Sequence, residues 1–223
     1  LACAAGSIEV SPVRIKLSTR AKVAVLTVHN TGTEDSVMQV TINRWTFGGE
    51  TDVYEPTQEL IVTPATFKLA PGAQQIVRLG LRQNTPPQRE LAYRMLVEEV
   101  PPPNTSNLTG TLLVVRHDVP VFVEPAAAAK PSLDIEMDCA TDSARLRITN
   151  IGNVHAQLFG IVLHGANSDD VLGHWDAFEY LLPEARRSWR VAEVAPGVVG
   201  KSFRLTTQTD QGAFTANVAN RCA

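Results

Sequence analysis

Short alternating segments separated by turns set the fold class of this chain. "VAVLTVHNTG" (23–32) alternates and runs into an Asn-Thr-Gly turn, and "VMQVTINRW" (37–45) sets Met38, Val40 and Ile42 against Val37, Gln39, Thr41 and Asn43. "LAYRMLVEEV" (91–100) and "QQIVRLGLR" (74–82) add two more strand signals, the second alternating from Arg78 onward. A two-residue period puts every second side chain on one face of an extended strand. Such segments recur about every ten residues, with turns such as Ala70-Pro71-Gly72, and a helical period is almost absent. That pattern predicts an all-β sandwich.

A linker, "AAAAKP" (126–131), precedes a second set of strand signals: "SLDIEMDC" (132–139), "ARLRITNIGN" (144–153), "AQLFGIVLHG" (156–165), "SWRVAEV" (188–194), "KSFRLTTQTD" (201–210) and "GAFTANVANRC" (212–222). "LTVHNTGT" in the first set and "LRITNIGN" in the second are alike, each an alternating strand that enters Asn-x-Gly. This internal echo is expected of two similar sandwiches in tandem. The predicted division is a start at 1–6, a first domain at 7–126 and a second at 127–223.

The 223 residues suffice for two ordinary domains. With 44% hydrophobic and 19% charged residues and a net charge of −3, the chain offers no basic field for nucleic acid. No apolar run approaches the roughly 20 residues that insert across a membrane. The opening "LACAAGS" reads either as the small-residue end of an export signal or as a disordered start, and its Cys3 also fits a lipoprotein cysteine. On the export reading two cysteines are left, Cys139 and Cys222, and an even pair in an exported protein predicts a disulfide in an oxidising compartment.

Signals for catalysis are missing. There is no Ser nucleophile elbow, phosphate-binding glycine loop or Cys-x-x-Cys. His29, His117, His155, His164 and His174 never fall at the i, i+2 or i, i+4 spacing of metal ligands, so structural or exposed roles are expected for all five. Asp134, Glu98-Glu99 and Asp169-Asp170 lack a calcium-loop pattern and read as solvated charge. The expectation is a protein that is not an enzyme and holds neither metal nor cofactor.

One stretch does not suit an ordinary sandwich. In "LLVVRHDVPVFVEP" (112–125), Leu112, Leu113, Val114 and Val115 are apolar on both faces, where one dry and one wet face would be usual. Before it comes "EVPPPNTSN" (99–107), whose prolines and small polar residues make no ladder and predict a loop between two apolar strands.

"SPVRIKLS", "VTINRW", "LIVTPATFKLAPGAQQIVRL", "RELAYRMLVEEVPPP" and "VPVFVEP" occur in an order and at intervals that resemble the periplasmic chaperones of the chaperone–usher pathway, which assemble pili and fimbriae. The resemblance covers the first domain closely and the second by size and strand content. It implies two immunoglobulin-like domains in a boomerang and pilin or fimbrial subunits and an outer-membrane usher as partners. The subunits would be bound by donor-strand complementation, an established instance of β-strand addition. One face of Leu112–Val115 would then pack on the chaperone's own core and the other would fill a groove in the subunit. A gap-free alignment turns Thr111, Leu113 and Val115 toward the subunit, and a one-residue bulge would turn Leu112 and Val114 instead. A free chaperone with such a strand would need a cover, either its own loop folded back or a second copy of the chain.

Most members of the family hold the subunit's terminal carboxylate with an Arg on the first strand and a Lys on the donated strand. Arg14 matches the Arg, whereas Pro120 stands where the Lys would be. Arg94 and Arg116 interrupt apolar strands nearby and are the candidates for an alternative anchor, with Arg14 in support. Glu90 matches an acidic member of an interdomain charge network, but Glu124 replaces the family's Arg in that network. "VPVFVEP" and the altered basic set resemble the archaic branch, which includes spore-coat-U-type pili. The competing expectation is an exported adhesion or binding module of tandem sandwiches.

Overall fold

The computed structural model describes residues 8–82, 84–101, 114–140, 143–165, 170–191 and 202–220. Among them there are strands and no helix. The chain divides into two compact units: unit 1 comprises Leu1–Thr46, Val53–Pro87 and Leu91–Ala126, and unit 2 comprises Phe47–Asp52, Gln88–Glu90 and Ala127–Ala223.

The first ten strands are β1 (Ile8–Ser11), β2 (Ile15–Leu17), β3 (Val23–Asn30), β4 (Ser36–Gly48), β5 (Thr51–Pro56), β6 (Leu60–Thr63), β7 (Thr66–Leu69), β8 (Gln74–Leu81), β9 (Leu91–Glu99) and β10 (Arg116–Val123). They form a sheet ordered β1-β3-β8-β6 and a second ordered β2-β10-β9-β4-β5, with β7 also on β4. Alternation decides what enters the core between them. Leu26 and Val28 from β3 meet Val77 and Leu79 from β8, Tyr93, Met95 and Val97 from β9, and Val119, Val121 and Val123 from β10. Each fully buried aliphatic side chain contributes roughly 1.5–3 kcal/mol to holding the two inner faces together.

Unit 2 continues with β11 (Leu133–Ala140), β12 (Ser143–Asn150), β13 (Ala156–Gly165), β14 (Val171–Leu181), β15 (Arg186–Val191), β16 (Phe203–Thr209) and β17 (Gly212–Asn220). These join in the order β14-β13-β16-β17-β11-β12-β15, with Ile135, Leu146, Ile148, Leu158, Ile161, Leu163 and Leu205 buried. Sequence reading did not mark β1, β5, β6, β7 or β14. The first four are short, and β14 carries Gly173 and two register shifts against β13.

The echoed Asn-x-Gly segments are one device built twice. In unit 1 the buried Asn30 donates from Nδ2 to Glu34 O and Leu69 O, and its Oδ1 accepts from Gly32 N–H. In unit 2 Asn150 donates to Val154 O and Leu181 O and accepts from Gly152 N–H. A buried amide is tolerated only when its donors and acceptor are all served, which is what each corner does. Gly152 has a second reason to be glycine, because a Cβ there would meet Lys130 O at 2.4 Å and Ser132 N at 2.6 Å.

Candidate functional site

The surroundings of Pro120 follow from two strand registers. β10 pairs with β9 so that Pro120 lies opposite Arg94, and it pairs in parallel with β2 so that Val121 lies beside Ile15. Arg14 precedes Ile15 by one residue. Pro120 is therefore flanked by Arg94 on one side and by the level of Arg14 on the other.

Pro120 lacks an N–H, and a proline inside a sheet usually costs a ladder bond. Here the cost is avoided. Glu99 N–H donates to Val115 O, and hydrogen-bonded pairs alternate along an antiparallel ladder, so the Pro120–Arg94 pair is a non-bonded one. The proline nitrogen points to the β2 side, where the paired register begins only at Val121. Farther along, Glu124 N–H donates to Leu17 O.

On β9 the residues Tyr93, Met95 and Val97 enter the core, so Arg94 projects from the other face. Its guanidinium lies 3.8 Å from the centroid of the Trp45 ring, and Nη1 lies 3.5 Å from Asp118 Oδ1. Only 15% of its side chain is exposed. Trp45 is itself packed by Phe122 and Tyr54, with ring centroids 6.1 and 6.4 Å away. Stacking on an aromatic face fixes a guanidinium in one plane and leaves its edge to bond a carboxylate. Asp118 is one carboxylate so placed in the described residues.

The other candidate cation lies elsewhere. Arg116 is four residues from Pro120 along β10, about 13 Å at the usual rise per residue. It faces Glu98 across the ladder, with Nε 3.4 Å from Oε1, and its side chain is 56% exposed. The registers thus put Arg94 and the backbone of Arg14 at the Pro120 level on opposite sides of β10, and keep Arg116 apart.

Toward its start β10 is tied to the other sheet. His117 Nε2 lies 2.6 Å from Ile8 O, so this nitrogen carries a proton and donates it. Upstream, Val115 packs partly against the core of unit 1, while Val114 is 42% exposed. Val115 thus lies on the face shared by Val119, Val121 and Val123, which turns to the core. Thr111, Leu112 and Leu113, most of the predicted loop, residues 1–6 and Cys222 lie outside the described residues, and of Cys139 the backbone in β11 is described.

Two further features escaped sequence reading. His155 sits buried between Glu90 and Asp210. Arg89 pairs with Glu184 at 2.6 Å. The partners of His155 are far apart in sequence, and no local motif announces them. Among the described residues no cluster of three His, Cys, Asp or Glu side chains could hold a metal ion, and no helix is long and apolar enough to cross a membrane.

Comparison with known proteins gives this geometry a context. The chaperone protein LpfB of Salmonella typhimurium is 30% identical over 133 residues, 58% of this chain and 55% of LpfB, so the match spans about half of that relative. Among solved structures, a chain of the CsuC–CsuE chaperone–tip adhesion subunit pre-assembly complex, from the archaic chaperone–usher Csu pili of Acinetobacter baumannii, superposes with a TM-score of 0.72 at 20% identity. That alignment covers 96% of this chain and 99% of the other. The E. coli chaperone DraB follows with a TM-score of 0.64 at 21% identity, covering 96% and 97% of the two chains. These likenesses show a shared two-domain all-β fold. Residues 7–129 match the family model of the pili and flagellar-assembly chaperones, PapD N-terminal domain, and the chain belongs to that family.

Proposed function

We propose that this chain is a periplasmic assembly chaperone that binds pilus subunits by donor-strand complementation and delivers them to an outer-membrane usher, without catalysing a reaction. The observation that carries this reading is the position of Arg94, stacked on Trp45 and opposite Pro120, on the level of Arg14. Arg94 and Arg14, whose backbones lie at one level, would make a cradle for a terminal carboxylate, through charge-assisted bonds that also set register. Arg94 then takes the place of the lysine that Pro120 displaces, and Arg116 lies outside the cradle.

The donated segment is Thr111–Val115. Val115 shares its face with the core valines of β10, and Leu113 and Thr111 follow on that face when the strand continues without a bulge. A subunit added at the edge of the sandwich meets the same dry side, so the donated residues extend the core of unit 1 rather than oppose it. Each aliphatic group buried this way adds roughly 1.5–3 kcal/mol to binding. Without a subunit, this segment calls for a cover by its own loop or by a second copy of the chain. The likeness to the Csu complex and the displaced lysine support the archaic branch.

The test is capture of a pilus subunit by wild-type chain and by Leu113→Asp, with circular dichroism of each free protein. The carboxylate would enter a dry groove unpaired, and a loss of more than about 100-fold in capture is expected with an unchanged spectrum. Undiminished capture by a folded Leu113→Asp chain would refute donation through this face. Val115→Asp is the poorer test, because Val115 also packs on the chain's own core.

A further inference from the structure

Unit 2 encloses a histidine between two carboxylates. The His155 side chain is 4% exposed, Glu90 5% and Asp210 9%. Glu90 Oε1 lies 2.6 Å from His155 Nδ1 and also accepts the His155 backbone N–H at 2.9 Å. On the other side of the ring, Nε2 lies 3.3 Å from Asp210 Oδ2, and Asp210 Oδ1 accepts Gln157 N–H at 3.0 Å. The groups that face the imidazole are thus Glu90 from the segment before β9, Asp210 from the turn between β16 and β17, and Tyr180 from β14, whose ring centroid is 5.6 Å away.

Proton counting decides the state of this ring. A neutral imidazole has one N–H and one lone pair, so it can serve one carboxylate and must turn a lone pair to the other. An imidazolium donates from Nδ1 to Glu90 and brings a positive charge to Asp210, 3.3 Å from Nε2. Burial by itself pushes the ring toward the neutral form, but the hydrogen bonds and charges of Asp210 and Glu90 outweigh it and hold His155 above the usual value of 6.5.

We propose that His155 is a proton-operated latch: charged, it joins residues 88–90 to the β16–β17 turn within unit 2, and on losing its proton it releases one of the two carboxylates. The unfolded chain holds this proton less tightly than the folded one. The latch therefore contributes in full below about 6.5, and its contribution is lost as pH rises through the higher folded value. An arginine in this place would stay charged throughout this range; the histidine makes the link responsive to pH.

The direct test is a heteronuclear NMR titration of the His155 ring in the intact chain. The expected midpoint lies above 6.5, and Glu90→Gln should lower it by about one unit, a tenfold change in proton affinity. In denaturant titrations, the folding constant of wild type relative to His155→Gln should fall about tenfold per pH unit between 6.5 and that midpoint. A His155 midpoint at or below 6.5 would overturn the latch, as would parallel pH profiles of the two chains. If His155→Gln does not fold, the titration of the intact chain decides alone.

Discussion

Units 1 and 2 repeat a sandwich and differ in where they keep their charges. Both close a corner with a buried asparagine, Asn30 or Asn150, that makes the same three hydrogen bonds. In unit 2, His155 lies between two carboxylates, and Arg187 lies over Phe47 with Asp52 at 2.9 Å and Glu179 at 3.3 Å. Unit 1 stacks Arg94 on Trp45 with Asp118 at 3.5 Å, but on the outer face of a sheet, beside a strand preceded in sequence by an apolar segment. The shared corner is a property of the fold, whereas the proposed cradle is a departure from it. On the proposed reading, function belongs to that departure.

The largest expected difference between the units is covalent. Residues 7–126 contain no cysteine, while Cys139 and Cys222 both belong to unit 2. β11 pairs with β17 so that Met137 lies beside Asn220, and each cysteine follows two residues later in its sequence. A disulfide between them should stabilise unit 2 by roughly 4–5 kcal/mol on the chain-entropy model, with strain reducing the gain. Hydrogen exchange after reduction should therefore accelerate in unit 2 and leave unit 1 unchanged. Two free thiols in the unreduced, unfolded protein would remove this difference.

The corners should behave alike. Asn30→Ala and Asn150→Ala each delete three hydrogen bonds at a site with no exposure, and each should cost roughly 2–4 kcal/mol in its own unit, measured by the same exchange experiment. Unequal costs, or a cost in the other unit, would show that the two corners are not one device. The smallest effect is expected from Arg116→Ala, which breaks an exposed pair with Glu98 worth less than about 1 kcal/mol and should leave subunit capture unchanged.

The corners show what the sequence made legible: a local pattern with its turn chemistry, visible wherever ten consecutive residues carry the whole signal. The cradle was legible only in its parts. Arg94 and Arg116 look equivalent along the chain, each a cation inside an apolar strand, and only the β9–β10 register puts one opposite Pro120 and the other opposite Glu98. His155 was less legible still, because its partner Glu90 is 65 positions away. Strand period survives in one dimension; pairing across strands does not.

The cradle is tested most directly by the affinity of a subunit's C-terminal segment with a free carboxylate against the same segment ending in an amide. Wild-type chain should bind the free acid at least about 30-fold more tightly, equivalent to about 2 kcal/mol for a charge-assisted pair that excludes water. That preference should vanish in the Arg14→Ala, Arg94→Ala double variant and persist in Arg116→Ala. Equal affinity of wild type for acid and amide, or a preference lost in Arg116→Ala alone, would contradict a carboxylate cradle at Arg14 and Arg94.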